Sequence, residues 1–205
     1  MNFAARFPHG LPALLVAISF AAGLNVYATV ATLGILARTG VMELPASLHM
    51  LTAWWVIAAS GVMFAAEFFA DKIPGFDLIW NALHTFIRVP IAALLAYRAT
   101  GALSPWEQIA AAGAGGLIAF AAHGSKTAIR AAITPSPEPV SNIALSMGED
   151  AIAISLTWFA SRHPYLAAAL VAVLLVISFF LVRWIVRGLR RLFRGARHRL
   201  AGESA

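Results

Sequence analysis

Long apolar stretches alternate along the chain with short joints rich in proline, glycine and charge. Six of these stretches approach the roughly 20 apolar residues that a membrane-spanning helix needs, and the proline and glycine at the joints are typical helix breakers. The six predicted helices, numbered one to six, run from about Leu11 to Ala37, Met50 to Ala70, Asp77 to Tyr97, Pro105 to Ile133, Pro139 to Ala160 and Pro164 to Arg187. The pattern predicts an all-α membrane protein with about six transmembrane helices.

The composition supports a lipid environment for these helices. Of the 205 residues, 60% are hydrophobic and 12% are charged, whereas a typical soluble domain carries about 25% charged residues. The mean hydropathy is +0.80. A chain this short cannot bury so much apolar surface inside itself, so the lipid bilayer is the expected partner. Cysteine is absent, which excludes disulfides, thiolate metal sites and cysteine nucleophiles.

The net charge of +6 is concentrated near one end of the chain. Seven of the fifteen lysine and arginine residues lie between Arg183 and Arg199, so the excess does not form the basic surface of a nucleic-acid-binding protein, and no nucleic acid partner is expected. We therefore divide the chain into a transmembrane domain, residues 1–188, and a basic cytoplasmic tail, residues 189–205. The tail could bind anionic lipid headgroups or act only as a stop-transfer anchor.

The distribution of arginine also predicts an orientation. The first apolar run follows Arg6 but is longer than the core of a signal peptide, so we interpret it as a retained first helix. Positively charged segments stay in the cytoplasm, which places the basic tail there. With six spans the other terminus is cytoplasmic too, as in a multi-pass protein of a bacterial inner membrane.

Predicted helix 3 carries a stripe of polar residues. Asp77, Asn81, His84 and Arg88 are spaced i, i+4, i+7 and i+11, which places them on one face of a helix. A polar stripe three turns long is too costly to expose to lipid. It should face the interior of the helix bundle or water.

Three other predicted helices carry polar clusters at their ends. These are Glu67 and Asp71 on helix 2, His123, Lys126 and Arg130 on helix 4, and Asn142, Ser146, Glu149 and Asp150 on helix 5. Buried charges in a membrane are usually paired, so we predict that Arg88 pairs with Glu149 or Asp150. The two acids of helix 2 should pair with Lys126 or Arg130. Because neighbouring residues on a helix point about 100° apart, Glu149 and Asp150 should have different partners.

A candidate internal repeat relates predicted helices 2 and 3 to helices 4 and 5. A shift of 61 residues aligns Asn81 with Asn142 and Asp77 with Glu138. Transporter folds often contain such repeats, with the binding site at the repeat interface. Asp77 and Glu138 themselves stand at predicted helix starts, where an acid satisfies free N–H groups, so we interpret them as caps.

Three stretches of the chain resemble a known family. The runs GLNVYATV, EFFADKIPGFDLIWNALHTFIR and SPEPVSNIALSMGED together resemble the bacterial membrane family catalogued as domain of unknown function 4126. The resemblance extends from about Leu14 to about Trp158 and leaves out the arginine-rich tail. It implies a multi-helix integral membrane protein and no particular activity. The function therefore has to be argued from the residues.

Two local features leave alternatives open. The run GLNVYATVAT places Asn25 inside a long apolar helix, which indicates either a kinked or locally unwound helix or close packing of small residues. His84 and His123 could carry protons or bind a metal. The chain has no His-x-x-x-His or Glu-x-x-His pair and no catalytic signature. We expect no metal or other cofactor, and we favour a function other than catalysis.

The leading hypothesis is a small transporter or channel with a charged, cation- or proton-linked pathway through the membrane. The predicted pathway residues are Glu67, Asp71, Asn81, His84, Arg88, His123, Lys126, Arg130, Asn142, Glu149 and Asp150. In this mechanism carboxylates bind a cation or proton, and Arg88 or Lys126 supplies a counter-charge that binding displaces. The alternatives are a membrane-embedded lipid-active enzyme that uses a histidine and an acid, and a non-catalytic scaffold. Association into a homo-oligomer stays open.

Overall fold

A computed structural model of the chain describes residues 10–73, 76–133 and 139–202. Within these residues the chain forms seven α-helices and one 3₁₀ helix, and no strand. The helices are α1 (Leu11–Leu24), α2 (Val26–Arg38), the 3₁₀ helix Ala46–Thr52, α3 (Trp54–Ala70), α4 (Phe76–Ala99), α5 (Pro105–Ile133), α6 (Pro139–Arg162) and α7 (Pro164–Gly202). The prediction of an all-helical protein is confirmed.

Fewer helices than predicted are by themselves long and apolar enough to cross a membrane. Among the described residues they are Ile79–Ala99, Ile143–Arg162 and Pro164–Gly188. The 3₁₀ helix and α3, bent by 64° at their junction, make a fourth if the pair is one span. The helix α5 has 29 residues but is not among them, and it carries the polar and charged side chains of Glu107, Gln108, His123, Lys126 and Arg130. The prediction of six transmembrane helices is therefore not confirmed.

Predicted helix 1 is broken at Asn25. The residue is extended, with φ −150° and ψ 103°, and its side chain accepts a hydrogen bond from the N–H of Ala28, which caps α2. Of the two alternatives left open by the sequence, the locally unwound helix is observed. Close packing occurs here as well, because a Cβ on Gly23 would collide with the backbone of Ala119 on α5. The break thus lies where α1 and α5 approach closely.

The broken helix lies at the centre of the bundle. α1 contacts α4, α5, α6 and α7, while α2 packs on α3 and α6. α4 lies along α5, the most extensive contact between two helices of the described chain. Large apolar side chains of α7, among them Phe179, Phe180 and Trp184, are exposed, as expected for a helix that packs on the bundle with one side and turns the other toward an apolar environment.

The arginine-rich segment is helical as far as Gly202. α7 continues as one helix to Gly202, so no helix end marks the boundary predicted at residue 189. The side chains of residues 191–202 lie outside the described part of the chain, as do residues 74–75 and 134–138. The predicted cap Glu138 is one of these residues, and the side chain of the predicted cap Asp77 is not described.

Candidate functional site: a buried charge cluster

The charged side chains of α3 to α6 converge beside the break between α1 and α2. We call seven of them the buried charge cluster: Glu67, Asp71, Arg88, Lys126, Arg130, Glu149 and Asp150. Each is at most 9% exposed. Asn81, His84 and His123 are buried as well, whereas the side chain of Asn142 lies outside the described residues. Ten of the eleven predicted pathway residues are therefore buried inside the bundle.

Helical spacing brings the cluster together. Glu67 lies on the last turn of α3, and Asp71 follows as its C-cap, four residues later. Lys126 and Arg130 repeat the same spacing on α5, so each pair projects from one side of its helix. The two pairs face each other, and the acids of α3 meet the bases of α5.

Lys126 contacts three carboxylates of the cluster at once. Its Nζ lies 2.8 Å from Asp71 Oδ2, 3.2 Å from Glu149 Oε2 and 3.5 Å from Glu67 Oε1. It also donates a hydrogen bond of 3.3 Å to the backbone carbonyl of Leu24, the last residue of α1. A helix C-terminus carries a partial negative charge. The ammonium is therefore surrounded by three carboxylates and the carbonyl end of a helix.

Arg130 joins the same carboxylates from one turn further along α5. It donates to Asp71 Oδ2 at 3.1 Å, to the Asp71 carbonyl at 3.0 Å and to Glu149 Oε2 at 2.5 Å. The predicted pairing of the α3 acids with Lys126 or Arg130 is confirmed. Asp71 lies in the turn after α3, outside the candidate spans. Burial opposes ionisation of its carboxyl, but the charges of Lys126 and Arg130 hold its pKa below the ordinary 3.8.

Arg88 has a different partner from the one we predicted. Its guanidinium forms an ion pair with Glu67 and lies 2.8 Å from His123 Nδ1, so the prediction of Glu149 or Asp150 is wrong. α4 lies along α5 and reaches the end of α3, and this places Arg88 against Glu67. Glu149 instead forms ion pairs with Lys126 and Arg130 of α5.

The partners of His123 determine its tautomer. An arginine only donates hydrogen bonds, so the Nδ1 that faces Arg88 must accept. Nε2 lies 3.0 Å from the carbonyl oxygen of Asn81, which only accepts, and 2.8 Å from Thr85 Oγ1. Nε2 therefore carries the hydrogen, and the ring is neutral. His123 can take up no second proton while Arg88 stays in contact with it.

Asp150 meets the helix break instead of the bases. Asn25 Nδ2 donates to Asp150 Oδ1 at 2.8 Å, while Oδ2 is buried with no hydrogen-bond partner among the described residues. The prediction that Glu149 and Asp150 have different partners is confirmed. Our set of site residues missed Asn25 and also Thr85. The sequence signal for Asn25 is a lone amide inside an apolar run. The signal for Thr85 is its position on the polar stripe of α4.

His84 lies apart from the charge cluster. Its Nδ1 is 2.8 Å from the carbonyl of Trp80, its ring stacks on the Trp80 ring with centroids 4.2 Å apart, and Tyr27 meets it edge-on. The hydrogen bonds described for His84 and His123 include none to a carboxylate. No group of three His, Asp or Glu side chains in the described part of the chain could hold a metal ion.

The ionic charges of the cluster do not balance. Arg88, Lys126 and Arg130 contribute three positive charges, and four carboxylates contribute four negative ones, so the sum is 3 − 4 = −1 when all are ionised. Lys72 lies at the rim, partly exposed; its Nζ donates to the carbonyl of Phe68 at 2.8 Å, and its charge also acts on Asp150 and Asp71. The buried groups of the described cluster therefore hold one more negative charge than the buried bases neutralise, and Lys72 is a further positive charge at the rim.

Comparison with known proteins identifies the chain at the level of a family. The family model described as "Domain of unknown function (DUF4126)" matches residues 13–184. The match includes the whole buried charge cluster and extends past Trp158, where the resemblance seen in the sequence ended. Comparison with curated proteins and comparison with solved structures each gave no match.

Proposed function

The chain belongs to the family described as domain of unknown function 4126, a description that names no activity, and we propose that it is a small proton- or cation-linked membrane transporter or channel. Its pathway runs through the buried charge cluster. The proposal includes a six-span arrangement in an inner membrane, with α1 and α2 as one broken span and both termini in the cytoplasm. The internal repeat remains part of this proposal.

The excess negative charge of the cluster carries the proposal. An unpaired ion in a low-dielectric interior costs several kcal/mol. The site can avoid this cost by taking up a proton or a small cation, and Asp150 is the carboxylate best placed to receive it. One of its oxygens is held by Asn25 and the other is buried without a partner in the described structure.

The helix break supports the same function. Discontinuous helices that expose free backbone groups near the middle of the membrane form the ion sites of many secondary transporters. Here the Lys126 ammonium occupies the space between the α1 carbonyl end and three carboxylates. We interpret the Lys126 ammonium as a positive charge of the protein itself that occupies the site when no transported ion is bound. A cation that enters displaces the ammonium and takes over its oxygen ligands.

The two alternative functions make different predictions. A lipid-active enzyme needs a histidine and an acid within hydrogen-bond reach, whereas His123 contacts Arg88, Asn81 and Thr85. This geometry argues against the enzyme. A scaffold requires only that the charges pair, which most of them do. Ion flux therefore separates the scaffold from the transporter.

The test is flux through purified protein in liposomes that enclose a pH- or cation-sensitive dye. With an imposed gradient of H⁺, Na⁺ or K⁺, the wild-type protein should dissipate at least one gradient faster than empty liposomes. Asp150→Asn removes the ionisable group and keeps the shape, so we expect at least a tenfold loss of flux. Glu43→Gln, which neutralises an exposed carboxylate far from the cluster in sequence, is the matched control and should leave flux unchanged. Undiminished flux in Asp150→Asn and Glu149→Gln would overturn the proposal, and absence of wild-type flux for all three ions would favour the scaffold.

A further inference from the structure

A second feature, separate from the charge cluster, is a groove between α5 and α7. Its volume is about 660 Å³. Phe120 and Gly124 of α5 line one wall, and Leu175 and Phe179 of α7 line the other. Apart from Ser125 and Ser178 the wall residues are apolar, so the groove fits a hydrocarbon chain better than a polar solute.

One end of this groove is strongly basic. Arg183, Arg187 and Arg190 line it, and their spacing of i, i+4 and i+7 places all three guanidinium groups on one face of α7. Planar guanidinium groups are suited to phosphate oxygens, which they bind through paired hydrogen bonds. The groove therefore combines an apolar channel with a phosphate-binding end.

The groove has the dimensions of one membrane leaflet. The apolar part of α7 spans Pro164–Gly188, so the three arginines lie at its end, at the level of lipid phosphates. Leu175 and Arg187 are twelve residues apart, or about 18 Å along a helix. Half of a hydrocarbon core of roughly 30 Å is about 15 Å. A lipid whose phosphate meets the arginines would therefore place its acyl chain along the groove.

We propose that the α5–α7 groove is a binding site for one anionic phospholipid, with the phosphate on Arg183, Arg187 and Arg190 and an acyl chain between the two helices. Charge complementarity selects this occupant over a zwitterionic lipid. The site does not depend on the transport function proposed above. It assigns a defined position to the anionic lipid expected at the arginine-rich segment.

The test measures lipid binding to the full chain in detergent by native mass spectrometry. Phosphatidylglycerol and phosphatidylcholine with identical acyl chains are titrated, with glycerol phosphate as a ligand that lacks the chains. Each basic residue near an anionic membrane surface contributes roughly a factor of five in affinity, so three arginines should give about a 100-fold preference for phosphatidylglycerol. Glycerol phosphate should bind far more weakly than the lipid, because it cannot fill the groove.

Two pairs of variants locate the site. The triple variant Arg183→Gln, Arg187→Gln and Arg190→Gln should lose most of the preference. The control triple R38Q, R98Q and R162Q removes three exposed arginines that do not line the groove, changes the net charge equally and should keep the preference. For the channel, Gly124→Leu should weaken binding by blocking the groove. A Cβ at Gly124 meets no atom within 4 Å, so the fold should tolerate it. Gly113 also has open space around it but does not line the groove, and Gly113→Leu should bind lipid normally.

Several outcomes would contradict the proposal. Equal losses in the two arginine triples would show a diffuse basic surface, and undiminished binding in Gly124→Leu would show that no acyl chain enters the groove. Equal affinity for the two lipids would rule out a phosphate site. A dimer that excludes lipid and dissociates in Gly124→Leu would assign the groove to a second copy of the chain.

Discussion

Replacing Lys126 with methionine is the most direct test of how the buried charge cluster is held together. Methionine keeps most of the side-chain volume but removes the ammonium from three carboxylates, at 2.8, 3.2 and 3.5 Å. At an effective dielectric constant of about 20, each contact contributes about 5–6 kcal/mol of Coulomb attraction before desolvation is subtracted. The summed charge of the ionised cluster changes from −1 to −2.

The net loss is smaller than the sum of these attractions, because the ammonium also pays a large desolvation cost. Breaking a buried ion pair by removing one partner typically costs about 3–5 kcal/mol. For a chain of this size, that loss corresponds to a decrease of roughly 6–20 °C in melting temperature. Lowering the pH should recover part of the loss in Lys126→Met, because a protonated carboxylate no longer needs the missing cation.

The assay is thermal unfolding of the purified protein in detergent, followed by intrinsic tryptophan fluorescence between pH 5 and pH 8. Lys72→Met is the matched control, since Lys72 is partly exposed at the rim of the cluster, and its loss should stay below about 1 kcal/mol. If the two variants melt at the same temperature at every pH, the ammonium of Lys126 does not stabilise the cluster, and the reasoning is wrong.

Three further predictions concern stability in detergent. Glu67→Gln and Arg88→Met should each destabilise the protein by about 3–5 kcal/mol, but the double variant should lose less than the sum of the two; additive losses in chemical unfolding would show that the pair is not coupled. Gly23→Ala should lower the melting temperature because its Cβ has no space, whereas Gly113→Ala, in open space, should be neutral or stabilising by up to about 1 kcal/mol; equal effects would contradict the close helix contact. The pKa of Asp71 is lowered in the folded state, so its stabilising contribution should be complete above pH 3.8 and disappear as the pH falls through the lower folded-state pKa. Asp71→Asn should be less stable than wild type near neutral pH, and the difference should narrow in acid; a constant difference would oppose this assignment.

Local chemistry made most helix starts and the class of protein predictable. Pro105, Pro139 and Pro164 each begin a helix as expected, because proline fits the first turn and ends what precedes it. The sequence identified Asn25 as a polar residue inside an apolar helix. The free-energy cost of breaking the helix there depends on the hydrogen bond from Asn25 to Asp150 of α6, 125 positions away, which the local sequence does not reveal. A count of apolar residues therefore predicted one span where the structure has two short helices.

Helical spacing correctly placed the polar side chains inside the bundle, but it could not give all their partners. The partner of Arg88 depends on the depth and rotation of α4 in the bundle. α4 lies along α5, where a Cβ on Gly115 of α5 would meet Ala92 and Ala96 of α4, and a periodic sequence pattern does not reveal such a close contact. A periodic pattern shows which face of a helix is polar. It does not show which neighbouring helix that face contacts.

The bond between Asn25 and Asp150 also sets the order in which the protein can be assembled during translation. The two residues are 125 positions apart, so at about 5–20 residues per second some 6–25 s pass between their syntheses. Glu67 and Arg88 are only 21 positions apart, so about 1–4 s pass between their syntheses. The amide of Asn25 is therefore made long before its acceptor exists, and α6 completes the described network last. A chain that ends before α6 leaves Lys126 and Arg130 without Glu149.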